Sequence, residues 1–226
     1  MEEPLVIAGR FNGPAGSGNG GYTCGLVAAR VGASAVQVTL RVPPPLDRPL
    51  RVDRGGRSVR VLDGDVVVAE GEPAALELDV PPPVPPEDAR RAARGYAGFE
   101  QHEFPTCFVC GPQRRPGDGL RIFAGPVRGR EHTVAAPWVP AEVRPELVWA
   151  ALDCPGAFAV GFGERGTMLL GRMLGEVLAL PAPNETCVVQ AWSLGQDGRK
   201  LYAATALFGD HGRLLGRARQ TWVMPR

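Results

Sequence analysis

The chain has 226 residues, of which 44% are hydrophobic, and its 25 basic and 24 acidic residues leave a net charge of +1. This balance gives no electrostatic reason to expect nucleic acid or a membrane surface as a partner. The apolar run at residues 147–152 is far shorter than the roughly 20 residues of a membrane-spanning helix. The N-terminal sequence MEEPLVIAG begins with acidic residues and lacks the basic start of a signal peptide, so we expect a cytoplasmic protein.

The first part of the chain is predicted to form one helix followed by strands. Residues 19–30 (NGGYTCGLVAAR) favour a short, mostly apolar helix that opens from the Gly-rich loop at residues 12–21. The dipeptide Asp63-Gly64 predicts a tight hairpin turn that joins residues 58–62 to residues 66–70. We expect strands within three segments: residues 35–42, 57–70 and 74–80.

A proline-rich segment divides the chain. Residues 81–87 (PPPVPPE) are expected to be extended and excluded from a sheet interior, because proline fixes φ and lacks an amide donor. A short, charged helix is predicted directly after it, at residues 88–95. We therefore predict a linker at residues 81–105 that joins one unit at residues 1–80 to a second unit at residues 106–226.

The second part repeats the order of the first. Alternating sequence predicts strands at residues 119–127 and 132–138, and residues 144–158 (RPELVWAALDCPGAF) favour an apolar helix. Four further strand segments are expected after it: residues 167–179, 186–194, 199–208 and 213–224. A hairpin turn is predicted at residues 209–212. One helix followed by antiparallel strands, occurring twice, indicates an internal duplication of an α+β unit.

Asp153 is the only charged residue in the apolar run of the second helix. A carboxylate there is costly unless it is hydrogen-bonded or faces a wet cavity. One interpretation is that Asp153 satisfies donors exposed by a helix break, which Pro155 favours. The other is that Asp153 belongs to a functional site, since buried acids with a shifted pKa are common there. The sequence leaves both interpretations open.

The Gly-rich loop at residues 12–21 runs directly into the first helix. Backbone amides at such a junction can bind a phosphate or polarise a carbonyl oxygen, and the helix dipole adds partial positive charge. The loop has neither the Gly-Lys-Ser/Thr of a Walker sequence nor the spacing of a dinucleotide-binding loop. A plain flexible loop is the alternative that the residues alone leave open.

Five cysteines, an odd number without secretory context, favour reduced thiols over a disulfide framework. Cys107 and Cys110, with His102 nearby, supply half of the ligands of a zinc site, but no second Cys-x-x-Cys is present. Cys24, Cys154 and Cys187 are isolated in the sequence. We therefore expect residues 107–110 to form a structural turn, with no metal ion and no cofactor.

Four sequence segments carry a family resemblance: NGGY at 19–22, FPTCFVCG at 104–111, GDGLRI at 117–122 and WAALDCPG at 149–156. Together they resemble bacterial double-hotdog proteins of the acyl-CoA thioesterase-like kind. The resemblance implies an α+β, tandem hotdog fold with two antiparallel sheets, each wrapped around a central helix. With the repeated order of helix and strands, we expect these two sheets to join edge to edge. It also implies assembly into a homodimer.

The resemblance further implies a site between the two units. In such thioesterases a Gly-Gly amide at a helix start polarises the thioester carbonyl, which assigns Gly20 and Gly21 that role. An acid on a neighbouring helix activates water or acts as the nucleophile, which assigns Asp153. Asn19, which replaces a histidine, and Tyr22 are expected to contact the substrate. Gly21 and Asp153 are then predicted to share one cleft, giving one complete site per chain.

Two functions remain open on these residues. The first is hydrolysis of an acyl-CoA or related thioester by Asp153 and the Gly21 amide. The second is a non-catalytic binding module that holds acyl-CoA or another apolar ligand in the same cleft. A hotdog dehydratase is disfavoured, because the histidine that such enzymes use is missing from this loop and helix. A Ser-His-Asp hydrolase is disfavoured because the chain has no GxSxG sequence.

Overall fold

A computed structural model describes residues 2–225 and contains one continuous antiparallel sheet of eleven strands. Five strands come from the first half: β1 (Leu5–Val6), β2 (Ala35–Leu40), β3 (Pro49–Gly55), β4 (Ser58–Asp63) and β5 (Val66–Pro73). Six come from the second half: β6 (Gly125–Pro126), β7 (Thr133–Trp138), β8 (Leu169–Val177), β9 (Cys187–Asp197), β10 (Lys200–Phe208) and β11 (Leu214–Val223).

Four helices lie in the described residues: α1 (Gly20–Val31), α2 (Pro86–Ala93), α3 (Pro145–Ala151) and α4 (Cys154–Ala159). Both ends of α1 are capped. The Asn19 side chain accepts a hydrogen bond from the Tyr22 amide at the start, and Gly32 ends the helix in the left-handed conformation. The predicted helix at residues 19–30 is therefore confirmed to within a residue at each end.

The strand order is symmetric about the pair β2–β8. On one side the order is β2-β5-β4-β3-β1, and on the other it is β8-β11-β10-β9-β7-β6. This arrangement confirms the predicted repeat of a helix followed by strands. The two predicted antiparallel sheets join edge to edge, as expected: Val36 pairs with Gly175 and Val38 with Met173, so β2 and β8 connect both halves into one continuous sheet.

The predicted hairpins are confirmed, and two predicted strands are not. Gly64, with φ of +59°, turns the chain between β4 and β5, and residues 209–213 connect β10 to β11. Residues 74–80 form no strand, and only Gly125–Pro126 of the predicted strand at 119–127 joins the sheet. The Leu120 and Ile122 amides instead bond the carbonyls of the 108–109 loop.

The proline-rich region is packed rather than free. After the extended residues 74–85, α2 lies against β7, and its Ala89 and Ala92 share a small apolar cluster with Val84 and Val188. The charged helix predicted at residues 88–95 is present as Pro86–Ala93. The unit boundary at residues 81–105 stays a prediction.

The first-half helix α1 packs closely against α3 of the second half. Gly21 and Gly25, four residues apart, lie on one face of α1. A Cβ added to Gly25 would lie 2.6 Å from Cα of Glu146, and one added to Gly21 would lie 2.7 Å from the carbonyl oxygen of Trp149. The absence of side chains at these two positions lets the helices of the two halves touch.

Among residues 2–225, no helix is long and apolar enough to cross a membrane.

Candidate active site

The second-half helix is interrupted at residues 152–153, which positions Asp153. Helix α3 ends at Ala151 and α4 begins at Cys154, with Pro155 in its first turn. The side-chain amide of Gln220 donates hydrogen bonds to the carbonyls of Leu152 and Asp153. The Asp153 carbonyl also accepts a hydrogen bond from the Gly156 amide, whereas the Leu152 carbonyl has no backbone donor among residues 2–225 because the helix is broken there. Gln220 supplies that missing donor from β11.

The Asp153 side chain caps the helix of the other half. Its Oδ2 accepts a hydrogen bond from the Gly21 amide at 2.9 Å and another from Nδ2 of Asn19 at 2.8 Å. Asn19 uses its remaining side-chain oxygen on the Tyr22 amide at 2.8 Å, so one side chain caps α1 and holds Asp153. The sequence left open whether Asp153 satisfies donors at a helix break or belongs to a functional site. Its Oδ2 does satisfy a backbone donor, but that donor belongs to the start of α1 and not to the broken helix that carries Asp153.

The second carboxylate oxygen of Asp153, Oδ1, does not take part in this cap. Oδ1 is buried and has no hydrogen-bond partner within residues 2–225. Asp153 is 2% exposed and lies on the wall of a cavity. A buried carboxylate oxygen without a donor is costly. Oδ1 is thus the carboxylate oxygen of Asp153 that remains able to accept a further hydrogen bond.

The environment of Asp153 raises its pKa to about 7. Burial is the main cause, because it disfavours the charged form, and negative charge on the nearby Cys107 acts in the same direction. The hydrogen bonds from Gly21 and Asn19 act in the opposite direction but do not outweigh burial. A carboxyl group with such a pKa can accept and release protons near neutral pH.

The cavity beside Asp153 has a volume of about 670 Å³ and runs from the Gly-rich loop to strand β8. That volume is within the range of sites for drug-sized ligands. Its walls are mainly apolar, and the side chains that form them include Leu40, Phe104, Phe158, Phe162, Met168 and Leu170. Its polar side chains include Asp153, Asn19, Ser17 and His102. The cavity therefore suits a largely apolar ligand with a few polar atoms.

The predicted site residues separate into two groups. Asn19, Gly20 and Asp153 line the cavity, whereas Gly21 and Tyr22 do not. The Gly21 amide donates to Asp153 and is not free to polarise a substrate carbonyl. The Tyr22 ring stacks on Phe11 with their centroids 3.9 Å apart, so the structure places it in the core.

The Gly20 amide is the one unused donor in the first turn of α1. Within residues 2–225 it has no hydrogen-bond partner, while the amides of Gly21, Tyr22 and Thr23 are all paired. Gly20 lines the cavity, and a Cβ there would lie 2.9 Å from Cδ2 of Leu170. Helix N-terminal amides attract anions and polarised oxygens. The Gly21 amide is thus committed to Asp153, whereas the Gly20 amide has no partner among residues 2–225 and belongs to a residue that lines the cavity.

Three cysteines and one histidine that sequence reasoning did not assign to the site also line the cavity: Cys107, Cys110, Cys154 and His102. Hydrogen bonds from Cys110 and Cys154 hold the pKa of Cys107 well below its usual range, although burial opposes them. Burial lowers the pKa of His102, which favours the neutral form of its ring. The only sequence signal for this group is the Cys-x-x-Cys at 107–110, since Cys154 is remote in sequence.

No protein-family model matches the chain, and no curated protein sequence matches it. Solved structures do match it over nearly its whole length. One is a thioesterase candidate from Novosphingobium aromaticivorans, at 13% identity and a TM-score of 0.63, covering 98% of this chain and 94% of that one. A second is the tesB protein of Mycobacterium avium subspecies paratuberculosis, at 15% identity and a TM-score of 0.57, covering 92% and 87%.

A third similar structure is the acyl-CoA thioesterase II TesB2 of Mycobacterium marinum, at 10% identity and a TM-score of 0.59, covering 91% of this chain and 90% of that one. Identities this low establish the fold and leave the reaction to be argued from the site. The symmetric strand order, the paired helices and these matches agree. Over nearly its full length, the chain therefore has the double-hotdog fold of TesB-like thioesterase II proteins.

Proposed function

We propose that the protein hydrolyses an acyl-CoA or a related thioester in the cavity between its two halves, with Asp153 as the general base. One observation carries the proposal: in Asp153, which lines the cavity, Oδ2 is held by Asn19 and Gly21, while Oδ1 is buried and has no partner among residues 2–225. The fold shared with acyl-CoA thioesterase II supports the same reaction class.

The chemical step needs one water molecule. Oδ1 of Asp153 accepts a proton from this water, and the water oxygen attacks the thioester carbonyl carbon. The carbon–sulfur bond then breaks, the thiol leaves with the proton, and the acid product remains. Because Oδ2 is fixed by two hydrogen bonds, Oδ1 keeps its position, and such positioning is a large part of general-base efficiency.

The carbonyl oxygen requires a donor in this mechanism, and we assign the Gly20 amide. It lies at the N-terminus of α1, where the helix dipole favours developing negative charge, and it has no partner among residues 2–225. Gly21 takes a different role from the one its sequence suggested, since its amide orients the base. Asn19 is a positioning residue that links the helix cap to the base.

The acyl group would occupy the apolar part of the cavity. Phe158, Phe162 and Met168 line that part, and burying an apolar chain against them supplies the binding free energy. All of the assigned groups belong to one chain, so the proposed site does not depend on a partner. Assembly into a homodimer stays a prediction.

Hydrolysis of a panel of acyl-CoA thioesters, followed by thiol release, tests this proposal. Asp153→Asn should lower kcat by about 100-fold or more, the usual effect of losing a general base. Glu185→Gln is the matched control. Glu185 is also a buried carboxylate that accepts backbone amide hydrogen bonds, but it lies outside the cavity. The control should keep its activity when it is assayed below its unfolding transition.

Full activity of the folded Asp153→Asn variant would overturn the role of Asp153. If no thioester is hydrolysed while acyl-CoA still binds in the cavity, the protein is the non-catalytic binding module instead. Calorimetric titration of the wild-type protein with a poorly hydrolysed acyl-CoA separates that outcome from a complete absence of binding.

A further inference from the structure

Three thiols from two separate parts of the sequence meet at the cavity wall. Cys107 and Cys110 lie in the loop before β6, and Cys154 begins α4. All three are buried, and their Sγ atoms lie within 4.8 Å of one another. We refer to Cys107, Cys110 and Cys154 as the cysteine cluster. The other two cysteines of the chain, Cys24 and Cys187, lie outside it.

We propose that the cysteine cluster binds one zinc ion through three thiolates, with the fourth coordination position open to the cavity. Zinc–sulfur bonds of about 2.3 Å in a tetrahedral site put neighbouring sulfur atoms about 3.8 Å apart. The Sγ atoms of Cys107 and Cys154 are already 3.7 Å apart. The remaining Sγ separations are at most 4.8 Å, so a shift of about 1 Å would complete the geometry.

The loop that carries two of these cysteines is shaped around Cys107. The Gly111 amide donates to the Cys107 carbonyl at 2.9 Å, and a Cβ on Gly111 would lie 2.5 Å from the Cys107 nitrogen. Only glycine fits at the end of this turn. The spacing Cys-x-x-Cys, closed by a tight turn, is that of thiolate pairs in structural zinc sites.

Hydrogen-bond donors also surround the sulfur atoms. Nδ2 of Asn19 lies 4.0 Å from Sγ of Cys107 and 3.9 Å from Sγ of Cys154. Donors around a sulfur favour the thiolate, which is the form that binds a metal. The same side chain, Asn19, thus contacts both the cluster and Asp153.

His102 is a poor fourth ligand, although it lines the same cavity. Its Nδ1 accepts a hydrogen bond from the Phe104 amide at 2.9 Å, so the neutral ring carries its proton on Nε2. Coordination through Nε2 would require the other tautomer, which would break the hydrogen bond from the Phe104 amide.

The three cysteines themselves line the cavity. A water molecule in the cavity would therefore complete the coordination of a three-thiolate site.

The test is a titration of the reduced, full-length protein with Co²⁺ in the absence of oxygen, followed by Zn²⁺. We expect one Co²⁺ per chain, detected by thiolate-to-cobalt charge-transfer absorption and by the intense visible bands of tetrahedral cobalt. Zn²⁺ should then bleach both signals. Elemental analysis of protein expressed with added zinc should give one zinc ion per chain.

Alanine variants locate the ligands. Cys107→Ala, Cys110→Ala and Cys154→Ala should each weaken Co²⁺ binding by more than the roughly 10- to 100-fold expected for loss of an outer-sphere partner. Cys24→Ala and Cys187→Ala are matched controls, because they also remove buried cysteines, and both should bind as the wild type does. Asp153→Asn should keep the metal, which separates this proposal from the proposed hydrolysis.

The wild-type titration decides the matter even where a variant fails to fold. If the reduced wild-type protein, with all five thiols confirmed by a thiol assay, binds neither Co²⁺ nor Zn²⁺ stoichiometrically, the proposal is wrong. It is also wrong if the triple variant of the cysteine cluster folds and still binds one ion per chain with the wild-type spectrum.

Discussion

The backbone amide of Gly21 donates a hydrogen bond of 2.9 Å to Oδ2 of Asp153, although the two residues are 132 positions apart in the sequence. Gly21 lies in the first turn of α1, and Asp153 lies at the break between α3 and α4. A carboxylate from one half of the molecule therefore caps the central helix of the other half, where the helix dipole favours negative charge. The candidate site exists only because the two halves pack helix against helix.

Gly21→Ala tests how far this contact depends on close helix packing. The added Cβ would lie 2.4 Å from Cβ of Asp153, so the helices must separate. We expect a loss of about 1–3 kcal/mol in the free energy of unfolding, as in other overpacked cores. Hydrolysis should also fall, because the base moves. Chemical denaturation and steady-state kinetics measure the two effects.

Gly55→Ala is the control for that substitution, because its new Cβ would meet only Oγ of Ser58 at 3.5 Å. Stability and hydrolysis should both stay close to those of the wild type. A Gly21→Ala variant as active as Gly55→Ala would show that the position of Asp153 does not limit the reaction.

The two roles of Asn19 can be separated by a pair of variants. Asn19→Ser keeps a helix-capping side chain but is too short to reach Asp153, whereas Asn19→Ala loses both interactions. We expect kcat to fall by about tenfold or more in both variants, the effect of losing one hydrogen bond to a charged group. Only Asn19→Ala should also lose the roughly 1 kcal/mol of a helix cap. Equal kcat values in Asn19→Ser and wild type would exclude a positioning role.

The local elements of the fold could largely be predicted from the sequence. Asn19 and Gly32 bound α1 through local chemistry, and Asp63-Gly64 specifies a hairpin whatever surrounds it. The strand predicted at residues 119–127 is wrong for most of its length because its amides at Leu120 and Ile122 bond a loop instead. Alternation of apolar residues reports burial but does not identify the hydrogen-bond partner.

The candidate site was predicted in part. The resemblance predicted that Asp153 lies close to the Gly-Gly sequence. It could not predict which glycine amide donates to the Asp153 carboxylate, because that depends on the register between α1 and α3. Tyr22 was expected at the substrate, and its aromatic stacking on Phe11 could not be read from spacing along one helix. The cysteine cluster was missed because Cys154 is 47 residues from Cys107, and only the tertiary structure brings them within 3.7 Å.

Gln220→Met tests whether the helix break at Asp153 must be held from β11. The substitution keeps the approximate size of the side chain but removes the amide that bonds the Leu152 and Asp153 carbonyls. The Asp153 carbonyl keeps its hydrogen bond from the Gly156 amide, but the Leu152 carbonyl loses its donor. A buried carbonyl without a partner costs about 1–3 kcal/mol, so the free energy of unfolding should fall by about that amount. We also expect kcat to fall more than KM changes, because the base loses its support while the apolar walls of the cavity stay.

Gln190→Met is the matched control for Gln220→Met. Gln190 is also buried, accepting from the Val84 amide and donating to the Pro81 carbonyl, but it lies outside the cavity. It should lose similar stability without loss of kcat. If both variants lose kcat in the same proportion, the effect of Gln220→Met comes from general destabilisation.

Glu185 is expected to make stability depend on pH in the acidic range. Burial alone would raise its pKa, but the amides of Asp210 and Ala182 and the Arg213 guanidinium outweigh burial and hold the pKa of Glu185 below its ordinary value of 4.5. A carboxyl whose pKa is lower in the folded state stabilises the fold above the unfolded-state pKa. That contribution is lost as the pH falls through the folded-state pKa.

Glu185→Gln should therefore be less stable than the wild type by about 1–3 kcal/mol at pH 7, the usual cost of disturbing a buried, charged hydrogen-bond acceptor. The difference should shrink as the pH is lowered from 4.5, because the wild type then protonates Glu185 and loses the same interactions. Urea denaturation of both proteins between pH 3 and pH 7 measures the difference. A gap in stability that stays constant over this range would mean that the charge on Glu185 contributes nothing to folding.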